Sequence, residues 1–297
     1  ANWKDCTSLL NANLAAAQLQ NANLSGARMR GANLYQSHLH GANLQDADLK
    51  GVALSHAVLA GAYLGEADLR CAQLDNAELQ GADLHEAKLE AARLDNSNFQ
   101  GANLEEVDLQ GANLAAVDFR GASLEGAKVW RVRGWAVVEG GTNVPKLEFT
   151  RLAEVDFDEA PWRSRSTFAE WHQQILTQLP SENRCYDTSF TTLDPAAAGA
   201  NEIIENVFRD AIHTSQTHAD EVEQQYADFI GDLACSPALQ PYVARGLIAN
   251  GRFEATGNHI QSIVKKMRKA MTTPQECPGV RGFTDEDWEH LSRLLNR

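Results

Sequence analysis

Large apolar residues recur at every fifth position from Leu9 to Val129, and no insertion shifts this register. Two residues before each of them lies a small residue, most often alanine. In an α-helix, five residues advance about 140° beyond a full turn, which would distribute the leucines around the whole helix. In a β-strand, an odd period sends successive leucines to opposite faces. The pattern therefore predicts a chain that turns once per repeat and stacks coil upon coil.

The repeated unit has the form A(N/D)LXX, seen as ANLAA, ANLSG, ANLYQ, ADLKG, ADLRC, ADLHE and ANLEE. Over residues 7–129 this unit resembles the repeat of the pentapeptide-repeat family. The resemblance implies a β-solenoid of one kind, a right-handed quadrilateral β-helix with four pentads per coil. It also implies that the central Leu or Phe of each pentad and the preceding Ala point inward.

Two features of the sequence agree with four sides per coil. Glycine recurs at intervals of ten residues and stays in columns only if a coil has an even number of sides; these positions are Gly31, Gly41, Gly51, Gly61, Gly81, Gly101, Gly111 and Gly121. Phe99 and Phe119 are twenty residues apart and should therefore stack on one face. Six coils would form a rod about 29 Å long.

The repeat ends at Trp130, and the second half of the chain has a different composition. A stacked solenoid leaves its terminal coil exposed, so residues 131–165 are predicted to form a cap or linker after the β-helix of residues 1–130. From residue 166 to 297, apolar spacing and capping signals predict a separate all-α domain of about five or six helices. The sequence Thr284-Asp285-Glu286-Asp287 is expected to cap its last helix.

The charge pattern supplies the candidate binding surface. A formal net charge of −14 disfavours direct binding to nucleic acid. Because residues twenty apart lie on neighbouring coils, carboxylates fall into columns that form a candidate partner-binding acidic stripe: Asp46, Asp48, Glu66, Asp68, Glu86, Glu106 and Asp108. A further column carries the basic residues Arg30, Lys50 and Arg70, which we expect to pair with the stripe's inner aspartates, Asp48 and Asp68. Two interpretations remain open: ordinary solvated side chains screened by salt, or an electronegative surface that binds a basic partner.

Signals for catalysis, cofactor binding or metal binding are weak. Cys185 and His172 could be read as a nucleophile and base, but their spacing does not support a pair. His213 and His218 are five apart on an expected helix and point to different faces. The five cysteines contain no CxxC pair, which favours reduced thiols in the cytoplasm over a disulfide framework or a zinc site. No catalytic, cofactor or metal residue is therefore assigned.

These observations favour a non-enzymatic scaffold in which the rod presents a helical interaction domain to protein partners. The alternative is an acidic DNA mimic that binds a nucleic-acid enzyme such as DNA gyrase, as some proteins of the resembled family do. We expect a cytoplasmic protein with protein partners, although an upstream membrane tether and a homodimer both stay compatible with the sequence.

Overall fold

The computed structural model describes residues 8–129, 132, 147, 209–213, 219–237, 239, 241–253, 260–270, 273 and 275–294. The expected cap or linker at 131–165 lies outside these residues apart from Val132 and Leu147. The helices predicted between 166 and 208 also lie outside them.

Residues 8–129 form a four-sided coil in which the chain returns to the same side after twenty residues. On each side, the residue before the leucine forms a parallel β-bridge with its counterpart twenty positions on, as in Asn33↔Ala53 and His38↔Val58. Each side contributes one bridged residue per coil, so the described part of the rod contains isolated bridges rather than longer strands. The leucines point inward, and Leu54 and Leu64 are 0% exposed. The predicted coil and its inward leucines are confirmed.

Each corner of the coil is a tight turn. The N–H of Ala62, for example, donates to the carbonyl oxygen of Leu59 at 2.9 Å. The second residue after the leucine adopts a positive φ, whether it is glycine or not: φ is 61° at Gly61, 57° at Asp46 and 59° at Cys71. Side chains at several of these corner positions, such as Asp46 and Glu66, are exposed on the surface of the rod.

The interior of the rod is filled by stacked apolar side chains. Phe99 and Phe119 are both fully buried, and their ring centroids lie 5.5 Å apart, as their spacing of twenty residues predicts. Val132 and Leu147 are buried in the same core, and Ala211 and Ile212 of the helical residues 209–213 pack against it.

Beyond residues 209–213, the described part of the chain contains four α-helices, here called the helical segment. They are α1 (Ala219–Cys235), α2 (Tyr242–Ala249), α3 (Ile260–Lys269) and α4 (Asp285–Leu294), with a 3-10 turn at Pro278–Val280. At the start of α4, the Asp287 side chain accepts a hydrogen bond from the N–H of Thr284 at 2.6 Å, which confirms the predicted capping signal. Ser236-Pro237 has the form of a helix start and predicts that α2 begins there. This prediction is wrong, because Leu239 adopts a φ of 53° and the helix begins only at Tyr242.

Cysteine pairing differs from the expectation of reduced thiols. Cys235, at the end of α1, forms a disulfide with Cys277, which precedes the 3-10 turn. Cys71 is disulfide-bonded as well. The prediction is therefore wrong for these three cysteines. A separation of 42 residues between Cys235 and Cys277 gives no local motif by which the sequence could have shown the pair.

Among the described residues, none of the helices has the length and apolar character needed to span a bilayer.

Candidate protein-binding surface

Four carboxylates of the predicted stripe lie one above another at a single corner of the rod. We call this set the acidic ridge: Asp46, Glu66, Glu86 and Glu106. All four side chains are exposed. Their backbones are held in register because each N–H donates to a carbonyl oxygen of the next coil, as from Glu66 to His85 at 2.9 Å and from Glu86 to Glu105 at 2.9 Å. The ridge is therefore a fixed row of charges about 4.8 Å apart at the backbone.

The carboxylates of the ridge form no ion pair within the described part of the chain. Like charges on adjacent coils repel one another, and solvent and salt reduce this repulsion without removing it. A basic partner would relieve the repulsion that remains.

The inner aspartates of the stripe are neutralised by a ladder of ion pairs. Asp48 lies 2.7 Å from Arg30, and Asp68 lies 2.6 Å from Arg70. Lys50 sits between them, 3.1 Å from Asp48 and 2.6 Å from Asp68. The predicted pairing is confirmed, and the charge of these two aspartates is satisfied within the rod.

The same contacts explain how Asp48 and Asp68 ionise. Burial by itself would raise the pKa of each carboxyl. Hydrogen bonds from Arg30 and Lys50 to Asp48, and from Arg70 and Lys50 to Asp68, outweigh that effect and lower both pKa values below the ordinary range. Both aspartates are therefore ionised and paired at neutral pH.

The ladder of ion pairs ends after Arg70, because the next residue in the column of Arg30, Lys50 and Arg70 is the acidic Glu90. Glu90 is only 8% exposed. Burial, followed by the negative charge of Asp108, raises the pKa of Glu90 to about 8, so its carboxyl is protonated at neutral pH. Burial also raises the pKa of Asp108, which accepts hydrogen bonds from the backbone and side chain of Gln110. The Asp108 carboxylate thus has hydrogen-bond partners within the rod, whereas the carboxylates of the acidic ridge form no ion pair in the described residues.

The helical segment places a buried cation next to the ridge, on a carboxylate that is not part of it. Arg252, which is 2% exposed, reaches Glu105 at 2.9 Å, and Glu105 immediately precedes the ridge residue Glu106. The positive charge of Arg252 is therefore paired with the carboxylate of Glu105.

Other residues from the sequence reading have different positions. Cys185, His172 and His218 lie outside the described residues, and His213 lies in the helical residues 209–213. Two basic side chains of α3 form ion pairs within the helical segment: Lys266 pairs with Asp232, and Lys269 lies 3.6 Å from Glu276. No group of three or more potential ligands capable of holding a metal ion occurs in the part of the chain that the structure describes.

The contact between His40 and Tyr242 was missed by sequence reasoning, since the repeat pattern by itself places His40 on the surface of the rod. Its ring centroid lies 4.3 Å from that of Tyr242 on α2. The available signal was the glycine next to His40, Gly41, which is followed by Gly61 and Gly81 at intervals of twenty where the helices approach the rod.

The comparison with protein families agrees with the geometry of the rod. A family model described as pentapeptide repeats matches residues 12–51, 47–85 and 87–126, with eight copies. The chain carries a pentapeptide-repeat domain. Such domains fold as right-handed quadrilateral β-helices, as expected for this one, and proteins that contain them are generally protein-interaction scaffolds and typically non-enzymatic.

Several solved structures resemble the pentapeptide-repeat domain. HetL, a pentapeptide-repeat protein involved in heterocyst differentiation regulation in the cyanobacterium Nostoc, is 30% identical over 50% of this chain and 62% of its own, with a TM-score of 0.29. A pentapeptide-repeat protein of the cyanobacterium Cyanothece is 36% identical over 36% of this chain and 60% of its own, with a TM-score of 0.24. Full-length QnrB1, a plasmid-mediated fluoroquinolone resistance protein, is 11% identical over 59% of this chain and 99% of its own, with a TM-score of 0.23.

The chain thus spans less than two thirds of the length of the two cyanobacterial proteins. No curated protein matches this sequence.

Proposed function

We propose that this protein is a non-enzymatic interaction scaffold whose rod presents the acidic ridge to a basic surface of a partner protein. The observation that carries the proposal is the contrast between two neighbouring columns of carboxylates. Asp48 and Asp68 are paired with cations of the rod. The ridge residues, which lie two positions earlier on the same coils, are exposed and form no ion pairs in the described residues.

Register supports this function as much as charge does. A row of carboxylates on a flexible loop would lose conformational entropy on binding, but the ridge is attached to a hydrogen-bonded ladder and is already ordered. Charge complementarity of this kind speeds association and selects the partner more than it raises affinity.

The alternative function, a DNA mimic that modulates an enzyme such as DNA gyrase, would use the same ridge. A straight row of regularly spaced carboxylates favours it. The row is sparser than a DNA strand, however, since its charges are about 4.8 Å apart while phosphates advance about 3.4 Å along the duplex axis per strand. The pairing of Asp48 and Asp68 removes further charge from the surface. We therefore rank this function second.

Replacing all four ridge residues by Gln or Asn should weaken capture of the protein partner by about tenfold or more and flatten its salt dependence. The measurement is affinity capture from an extract of the native host, followed by titration of the captured partner at several salt concentrations. The control variant makes the same charge change on other exposed carboxylates: Glu78, Glu276, Glu286 and Glu289. Partner binding that persists in the ridge variant with an unchanged salt dependence would refute the proposal.

A supercoiling assay with purified DNA gyrase separates the two functions. Inhibition by the natural protein and not by the ridge variant would favour the DNA mimic. No effect of the natural protein at micromolar concentration would remove that alternative and leave the scaffold.

The disulfides bear on where the scaffold works. Because such bonds persist in oxidising compartments, we propose that the protein folds in one, in place of the cytoplasm expected from the sequence. Mass spectrometry of peptides from protein alkylated within the native host should find Cys235 linked to Cys277. Recovery of both as alkylated thiols would count against this location.

A further inference from the structure

One corner of the rod carries glycine on five successive coils: Gly41, Gly61, Gly81, Gly101 and Gly121. A positive φ does not by itself account for this unbroken column. The corner residues Glu66, Cys71 and Ala91 have φ values of 58°, 59° and 58° with a side chain present. Something other than backbone conformation must require the absence of a side chain at the glycine column.

Helix α2 lies directly over the middle of the glycine column. A Cβ atom added to Gly61 would lie 2.4 Å from the carbonyl oxygen of Tyr242, and one added to Gly81 would lie 2.9 Å from that of Val243. Both obstacles are backbone atoms, which cannot turn aside as a side chain does. The helix therefore approaches the rod closely only because these corners are glycine.

Helices α1 and α2 share the rest of the column. A Cβ atom on Gly101 would meet the side chains of Leu247 and Leu233 at 2.4 and 2.9 Å. One on Gly121 would meet the ring of Phe229 at 2.5 Å. The two helices together occupy the whole glycine column.

The close approach is matched on the helix side by Gly246 of α2. A Cβ atom there would lie 2.1 Å from the carbonyl oxygen of Gly81 and 2.9 Å from the Cα atom of Gly61. Glycine is a poor helix former, so its place in the middle of an eight-residue helix needs a reason. Contact between the helix backbone and the rod backbone supplies it.

Polar groups fix the position of the helix along the rod. The side-chain amide of Asn250 donates to the carbonyl oxygens of Gly81 and Gly101, both at 3.3 Å, and so bridges two coils. The amide of Asn21 donates to the hydroxyl of Tyr242 at 3.2 Å. These contacts select one register between helix and rod.

The spacing of the two elements explains why a helix fits this surface. An α-helix rises about 5.4 Å per turn, and successive coils are about 4.8 Å apart. Residues four apart in the helical stretch, namely Tyr242, Gly246 and Asn250, therefore meet neighbouring coils.

We propose that the glycine column is a helix-docking surface, read by α1 and α2 of the same chain, which fixes the helical segment beside the acidic ridge. The docking does not depend on the proposed function, because it concerns contacts within the chain. In the sequence, such a docking surface is indicated by glycine at every twentieth residue of the rod, on the corner that meets the helix, together with a glycine within that helix.

Two alanine substitutions in the full-length protein test the helix side. Gly246→Ala places a methyl group against the rod, whereas Gly231→Ala places one in α1 at ordinary contact distance, 3.4 Å from Ile263. Alanine favours both helices equally. We expect hydrogen exchange of the α2 amides to speed up by about fivefold or more in Gly246→Ala, with no such loss in Gly231→Ala. Slower exchange or no change in α2 of Gly246→Ala would overturn the proposal.

The rod side is tested by a second matched pair. Gly61→Ala and Gly26→Ala create nearly the same backbone strain, since φ is 61° and 64°, but Gly26 belongs to the column that holds Asp46 and Glu66. Faster exchange of α2 in Gly61→Ala alone, with the rod amides still protected, supports docking. An equal effect of both substitutions would show that strain at the corner, not the helix, requires glycine.

Discussion

Replacing Glu90 by glutamine should stabilise the folded protein at pH 8 by about 3 to 5 kcal/mol. Glu90 is 8% exposed, and its pKa is raised from 4.5 to about 8 by burial and by the charge of Asp108. The folded state therefore keeps a proton that the unfolded chain releases. Each unit of such a difference corresponds to about 1.4 kcal/mol.

The sign follows from which state binds the proton. Between pH 4.5 and about 8 the unfolded state is deprotonated at Glu90 and the folded state is not, so the natural protein loses stability as pH rises through this window. Glutamine has the size of the protonated carboxyl and does not titrate. Its advantage should be below about 1 kcal/mol at pH 5 and largest at pH 8 and above.

Urea unfolding at pH 5 and pH 8 measures both values. Glu78→Gln is the control, because it makes the same chemical change at an exposed position on another side of the rod. A Glu90→Gln variant that gains the same stability at both pH values, or none at pH 8, would show that Glu90 is not held protonated in the folded protein.

Glu90 also shows what the sequence could and could not predict. Its column, Arg30, Lys50, Arg70 and Glu90, is readable by counting twenty residues, and the ion pairs of Asp48 and Asp68 follow from it. The burial of Glu90 does not follow, because a five-residue period fixes which residues point inward and leaves the cover over the outward ones undetermined.

The glycine columns show the same limit. A second corner column also carries glycine, at Gly31, Gly51 and Gly111, but Cys71 and Ala91 occupy its two intermediate positions. The two side chains show that this corner tolerates residues other than glycine, whereas the unbroken glycine column does not. The reason is visible only in the structure, where Tyr242 and Gly246 lie against the unbroken column. Repetition encodes the rod locally, whereas the docking and the Cys235–Cys277 bond join residues far apart in sequence.

Truncating Phe99 to alanine should destabilise the rod by about 3 to 5 kcal/mol. Its ring is fully buried and stacks on Phe119, with centroids 5.5 Å apart. The coils above and below are fixed to each other by the hydrogen-bonded ladder, as from the Phe99 N–H to the Asp118 carbonyl oxygen at 2.8 Å. The coils cannot collapse into the space that the ring leaves. Most of the cavity therefore remains and lowers the free energy of unfolding.

Phe99→Leu is the matched variant, because the same column holds leucine on earlier coils, at Leu39, Leu59 and Leu79. It should cost less than about 2 kcal/mol, since a leucine already fits this side of the coil and leaves a much smaller void. Chemical unfolding followed by circular dichroism compares the two variants with the natural protein. Equal losses for alanine and leucine would mean that the ring stack of Phe99 and Phe119, rather than the filling of the coil, stabilises this part of the rod.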